Sequence, residues 1–336
     1  MDINHLSRFR ASIMGGAMIL VIITHMPIPF EHVIPYFTSN CEIGVDVFLL
    51  LSGMGLAFSV RNGLDLKTFY AKRVLRIFPL YIIICLLDSV IYEKDIIDFL
   101  LMSTTIGYWL GGGLEWFIPF IVIMYALFPL LWWLLKRDNT LLYLAFILFV
   151  LSILLPPNNY YIIILRIPIF IYGIWIGRRL INTPPSCTYY RSTIILMIIG
   201  IVLSVYFYNT YYVYGPSEEL KFVRRYGYEF LPFFLITPGL CLLLGNLLSY
   251  APTTLCRLLA KVGEISLELY LLHPFFIRAA QFIYNNYFDQ ASGLKIALLI
   301  SFIIILFPIS YGLHTLLMCL TEPLKRRFVK SNKTPI

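Results

Sequence analysis

Arg10 and His25 are separated by fourteen residues, all apolar or small. On a helix rising about 1.5 Å per residue, the guanidinium and the imidazole stand about 22 Å apart. An ionisable side chain in the membrane interior costs several kcal/mol unless a partner or a water-filled cavity compensates it, so such a residue points to function. His25 therefore calls for a partner, and Asp46 is the nearest candidate in sequence. A neutral imidazole is a general base near neutral pH. A carboxylate on its other ring nitrogen would fix the tautomer and stabilise the imidazolium. Asp46 is equally placed to cap the helix it opens by accepting backbone N–H groups, and the two roles are compatible.

The elements that must position these groups follow from composition. The chain has 336 residues, is 60% hydrophobic and only 13% charged, where soluble proteins average roughly 25% charged residues. That excludes an ordinary soluble domain and implies a polytopic membrane protein. Apolar segments of the length that a hydrocarbon core near 30 Å demands of helices recur along the chain, with no β-barrel alternation. The expected fold is all-α, a bundle of about ten transmembrane helices near 11–28, 43–60, 75–92, 116–135, 140–155, 162–178, 192–212, 228–248, 266–284 and 294–319. Residues 96–109 are apolar but too short to cross, and read as interfacial or re-entrant. The first apolar run follows Arg8 and Arg10 as a secretory signal would, but no A-x-A-like site succeeds it, so it is read as a retained span. The six cysteines are scattered at positions 41, 85, 187, 241, 256 and 319, with neither metal-ligand nor redox spacing and no disulfide framework. A single membrane-embedded domain is expected over 1–336, with a tail from about 320, and no metal.

An even number of spans puts both termini on one side, and cation asymmetry selects the cytoplasm. With that assignment nineteen of the twenty-six Lys and Arg residues are cytoplasmic. The formal charge of +8 thus flanks membrane spans rather than forming a basic module with stacking aromatics, so anionic lipid is the expected partner and nucleic acid is not. Depth follows from topology. His25, Asp46, Glu115, Arg166 and His273 fall in the outer half, and Arg10, Lys72, Arg73 and Arg76 in the inner half.

Five phrases recur in order: the segment from Arg10 to His25; Gly44-Val45-Asp46-Val47-Phe48 running into Leu51-Ser52-Gly53; Phe69-Tyr70-Ala71-Lys72-Arg73-Val74-Leu75-Arg76-Ile77-Phe78-Pro79; Glu115-Trp116-Phe117-Ile118-Pro119 with Tyr125; and Ser266-Leu267-Glu268-Leu269-Tyr270-Leu271-Leu272-His273-Pro274. Together they resemble the acyltransferase 3 family, integral-membrane enzymes that move acyl groups, often acetyl, onto cell-envelope sugars. The family's usual first span holds about ten residues between the arginine and the histidine. At 100° per residue, separations of eleven and of fifteen positions leave the two side chains about 20° and 60° apart, so both spacings keep one face.

The resemblance implies acyl transfer at the cytoplasmic membrane, with acetyl-coenzyme A or another acyl-coenzyme A as co-substrate, no permanently bound cofactor, and an envelope glycan as acceptor. His25 and Asp46 are then the catalytic candidates. Arg10, Lys72, Arg73 and Arg76 are donor-binding candidates, because guanidinium groups hold phosphate bidentately and stay charged. Glu115, Trp116, Arg166, Glu268 and His273 are acceptor-side candidates. Each has a plainer competitor. Arg73 and Arg76 serve equally as topology anchors, Glu115-Trp116 as an interfacial pair, and His273 as support for the kink that Pro274 introduces. His314 is expected to be a packing residue. The tyrosines of 206–214 suit the membrane interface or sugar stacking, and Ser52-Gly53 with Gly55 suit close helix packing rather than a nucleophile. Buried ions and broken helices also mark transporters and flippases of polar or lipid-linked substrates, against which stands the absence of an internal repeat. A membrane sensor or scaffold would instead tolerate substitution of its buried ionisable residues.

Overall fold

The computed structural model describes residues 3–26, 40–112, 115–134, 143, 147, 161–182, 186–214, 230–287 and 292–330. All regular elements among them are helices, in agreement with the expected all-α class: α1 Asn4–Arg8, α2 Arg10–His25, α3 Ile43–Ser59, α4 Leu66–Ile91, α5 Ile96–Ser103, α6 Ile106–Trp109, α7 Phe117–Leu134, α8 Tyr161–Asn182, α9 Cys187–Tyr214, α10 Phe230–Tyr250, α11 Thr253–Glu264, α12 Ser266–Tyr287 and α13 Ser292–Lys330. Five of these are long and apolar enough to cross a membrane: α4, α7, α9, α10 and α13. α2 and α3 are shorter apolar helices. The five coincide with the expected third, fourth, seventh, eighth and tenth spans. Of the expected span at 140–155, the described residues include only 143 and 147.

Local chemistry explains several boundaries. The Asp65 carboxylate accepts the Thr68 N–H at 3.1 Å and opens α4, and Asp95 does the same for Asp98 at 2.8 Å before α5. The apolar stretch 96–109 is broken by Thr105, whose φ of 65° is left-handed; a helix cannot pass through that conformation, so α5 and α6 remain short. α13 continues as helix to Lys330, through the basic segment expected to form the tail.

The chain divides into two compact units, Met1–Arg61 with Leu134–Ser266, and Asn62–Trp133 with Leu267–Ile336. In the first, α3 is the central helix, buried without interruption from Ile43 to Leu51. It packs on α8 through glycines, Gly53 against the Phe170 carbonyl and Gly173 against the Leu50 carbonyl, where a methyl on either would overlap backbone. α2 and α11 meet in the same manner, Gly15 against the Leu259 carbonyl and Gly263 against that of Ala11. Ser12 Oγ locks this crossing by donating to the Cys256 carbonyl at 2.9 Å.

In the second unit α4 packs on α7, where Phe69 stacks on Phe128 at 5.1 Å and the Tyr70 hydroxyl donates to the Ala126 carbonyl at 3.0 Å. Phe117 and Tyr270 bring α7 to α12, and Phe276 and Phe302 bring α12 to α13. Large apolar side chains stay exposed on α4 (Ile82, Leu86, Val90), α9 (Ile195, Ile198, Val202) and α13 (Ile304, Ile305). Soluble proteins rarely expose such stretches, whereas a bilayer solvates them. The chain is a multi-pass membrane protein.

Candidate active site

α2 begins at Arg10 and ends at His25, so the two residues that opened the sequence argument mark the two ends of one helix. Arg10 Nε donates to the Leu51 carbonyl at 3.0 Å, and its guanidinium lies over Gly55. Gly55 therefore does serve close packing, but what it admits is a guanidinium.

His25 Nδ1 lies 2.8 Å from the Val21 carbonyl, one turn back in the same helix. A carbonyl can only accept, so Nδ1 carries the hydrogen and the neutral ring keeps its basic lone pair on Nε2. The tautomer-fixing hydrogen bond that the sequence reading assigned to Asp46 is thus made by backbone.

Asp46 is buried, and its charged partner is Arg166, with Oδ2 3.7 Å from Nε. Arg166 is fully buried, donates from Nη2 to Glu42 Oε1 at 2.6 Å and lies over the Phe230 ring at 5.1 Å. One guanidinium therefore sits among two carboxylates and an aromatic face. Glu42, the residue just before α3, makes no side-chain capping hydrogen bond. Gly44 rests on the Ala17 carbonyl and the Val21 side chain, so the start of α3, with Glu42 and Asp46 on either side of that glycine, runs beside the last turns of α2. Glu42 was not singled out from the sequence. Its signal was its place one turn before Asp46, because two acids at that spacing repel and demand a cation. Cys41, next to it, has its thiol pushed up to about 11 by burial, which leaves it inert as a nucleophile.

The remaining candidates belong to the second unit. Lys72 is exposed. Arg73 stacks over the Phe69 ring at 4.2 Å and donates to the Phe69 carbonyl at 3.4 Å. Arg76 presents its fork to Glu268, Nη1 to Oε1 at 2.7 Å and Nη2 to Oε2 at 3.2 Å. Glu268, read from the sequence as facing the acceptor, is the counter-ion of a donor-binding candidate. His314, expected to be a packing residue, joins them with Nδ1 2.9 Å from Glu268 Oε1.

His273 is buried, and its Nδ1 lies 2.7 Å from the Tyr270 carbonyl and 3.2 Å from that of Leu269. Pro274 has no N–H to give the Tyr270 carbonyl four positions earlier, so the imidazole supplies the donor that proline removes. Trp116, just ahead of α7, meets Phe117 and Phe120 edge-on at 5.9 and 6.2 Å, and Glu115 beside it is half-buried. The structure thus assembles two charged clusters, Glu42–Asp46–Arg166 in one unit and Arg76–Glu268–His314 in the other. The contacts given above for Arg73, Trp116 and His273 are to aromatic rings and backbone carbonyls.

Among curated proteins and solved structures no match is found. The model of a family described as an acyltransferase domain matches residues 15–317. That match takes in His25, Asp46, the cations of α4 and both charged clusters, and leaves out Arg10. Since it runs over most of the 336 residues, and over four of the five motifs in full, the chain belongs to the acyltransferase 3 family.

Proposed function

We propose that this chain is an integral-membrane O-acyltransferase of the cytoplasmic membrane. It moves an acetyl or other short acyl group from an acyl-coenzyme A to a hydroxyl of an envelope polysaccharide, peptidoglycan or lipid-linked glycan. The chain crosses the bilayer ten times with both termini in the cytoplasm, the arrangement favoured by the cation asymmetry.

The observation that carries this reading is the hydrogen bond from His25 Nδ1 to the Val21 carbonyl. With the hydrogen on Nδ1, the lone pair is on Nε2, which supports Nε2 as the base in this reading. Nε2 takes the proton of the acceptor hydroxyl as that oxygen attacks the thioester carbonyl carbon, and the carbonyl electron pair moves onto its oxygen. When the tetrahedral intermediate collapses, the carbon–sulfur bond breaks and the departing thiolate takes the proton from His25. An ester and free coenzyme A result, and the imidazole is neutral again. Beside the last turns of α2, two carboxylates face one guanidinium at Glu42, Asp46 and Arg166. Their excess negative charge favours the transient imidazolium. Lys72, Arg73 and Arg76 hold the donor phosphates, and Glu115 and Trp116 contribute to acceptor binding.

Purified protein given acetyl-coenzyme A and a soluble glycan should release coenzyme A in step with ester formation. Envelope glycans from cells with the protein should gain one acyl mass over those from cells lacking it. Transport of a glycan without release of coenzyme A would identify a transporter or flippase instead.

A further inference from the structure

Glu268 is fully buried (0% exposed), whereas Arg76, which holds it fork to fork, is one-third exposed (33%). A phosphate competes for the same two parallel N–H donors that the carboxylate now occupies. A fully buried carboxylate stays ionised at a heavy cost unless another cation replaces a partner that turns away. A replacement is already in place. His314 Nδ1 approaches the same oxygen, Oε1, that Arg76 Nη1 holds, at 2.9 and 2.7 Å, and the two nitrogens are 3.3 Å apart. Both are donors converging on one acceptor, so against an ionised Glu268 the His314 hydrogen is on Nδ1 and a second proton would enter at Nε2. That second proton changes the charge of the ring without moving its contact.

We infer that His314, acting through Glu268, is a positioning residue for Arg76. It takes up a proton and takes over the Glu268 carboxylate when the Arg76 fork turns to a donor phosphate. The inference rests on Arg76 being a donor ligand. His314 is 20% exposed, so a proton reaches it. Among the described residues, the charges in contact with it are Arg76 from α4 and Glu268 from α12. On its own helix, Lys325 lies within electrostatic reach of Arg76 and of Glu322, and Glu322 is 3.6 Å from Arg326. Lys325 Nζ lies 3.6 Å from Met318 Sδ, and among the described residues His314 is the group, besides Arg76, shown in ion-pair contact with Glu268.

Titration calorimetry of coenzyme A into the purified full-length protein, in buffers of different ionisation enthalpy, counts the protons exchanged on binding. The wild type should take up about one more proton than His314→Gln, which keeps a hydrogen-bond donor but cannot gain a charge. Its affinity should fall as pH rises, because binding takes up a proton, and this dependence should be missing from His314→Gln. Glu268→Gln provides the second arm. With no carboxylate to satisfy, Arg76 is released without proton uptake, and binding should be tighter than in the wild type. The ligand's own protonation is common to all three proteins and cancels in the comparison. A wild type that takes up no more protons than His314→Gln, with coenzyme A still bound, would overturn the role of His314 alone, whatever the number for Glu268→Gln. No binding of coenzyme A to the wild type would overturn the donor reading itself.

Discussion

At Val21 a backbone carbonyl, which no side-chain substitution removes, orients the His25 ring. His25→Ala should therefore insert and fold normally yet lose about 10²- to 10⁴-fold in transfer rate per folded molecule, the usual cost of losing a positioned base. Asp46→Asn leaves the hydrogen bond to Val21 intact and should lose far less. A His25→Ala rate within tenfold of wild type would rule the histidine out as the base. Arg166 makes a different prediction, because its removal leaves Glu42 and Asp46 one turn apart with their shared cation gone. Arg166→Met should destabilise the protein by about 3–5 kcal/mol in denaturant titrations in detergent. Glu42→Gln should cost much less, since Glu42 is 28% exposed. His25, Asp46 and Arg166 could be found in the sequence because an ionisable residue in an apolar run is conspicuous. Their partners could not. Glu42 sits in a segment read as an ordinary external loop, and it meets Arg166 across 124 positions. No local spacing encodes such a pairing, just as none encodes the meeting of His314 with Glu268.

The helices were legible wherever an apolar run was long, because the length needed to cross a bilayer and the cost of bare backbone inside it leave few other structures. How closely they approach was not legible. Gly15 and Gly16 are neighbours of identical type, yet a methyl on Gly15 would overlap the Leu259 carbonyl, while one on Gly16 would meet nothing within 4 Å. Gly16→Ala should consequently be neutral or stabilising by up to about 1 kcal/mol through helix propensity. Gly15→Ala should destabilise by about 1–3 kcal/mol as α2 and α11 are forced apart. Denaturation midpoints of the two variants side by side test the crossing, with Gly16→Ala as the internal control. On α4 the two arginines are likewise distinguished by surroundings. Arg76 is engaged by a buried carboxylate, whereas Arg73 rests on the Phe69 ring, so Arg73→Lys tests donor binding with less disturbance of the ion pair. It keeps the charge but loses the planar fork. The donor KM should rise several-fold while the unfolding midpoint and the amount of inserted protein stay unchanged. An unaltered KM would leave Arg73 as a topology anchor.

On the scale of the whole chain, composition revealed the membrane, but sequence order concealed how the helices group. Residues 62–133 belong with 267–336 rather than with the segments that adjoin them, because burial of apolar faces is indifferent to separation along the chain. Orientation is a property of the whole chain in another sense, since it is set by the sum of its loop cations. With nineteen of twenty-six Lys and Arg residues assigned to one side, a reporter fused at the C-terminus should behave as cytoplasmic. One inserted in the 30–42 loop should behave as external; residues 30–39 of that loop lie outside those the structure describes. Removing cations from the cytoplasmic segments should shift the population toward mixed orientation, whereas removing Lys221, Arg224 and Arg225 should not. The two reporters constrain more than topology. Coenzyme A is supplied in the cytoplasm, so the α4 cations can bind it only if their end of that helix faces inward. A C-terminal reporter found outside would reverse the inner and outer sets, placing Lys72, Arg73 and Arg76 on the side of the glycan and removing the physical basis for assigning them to the donor.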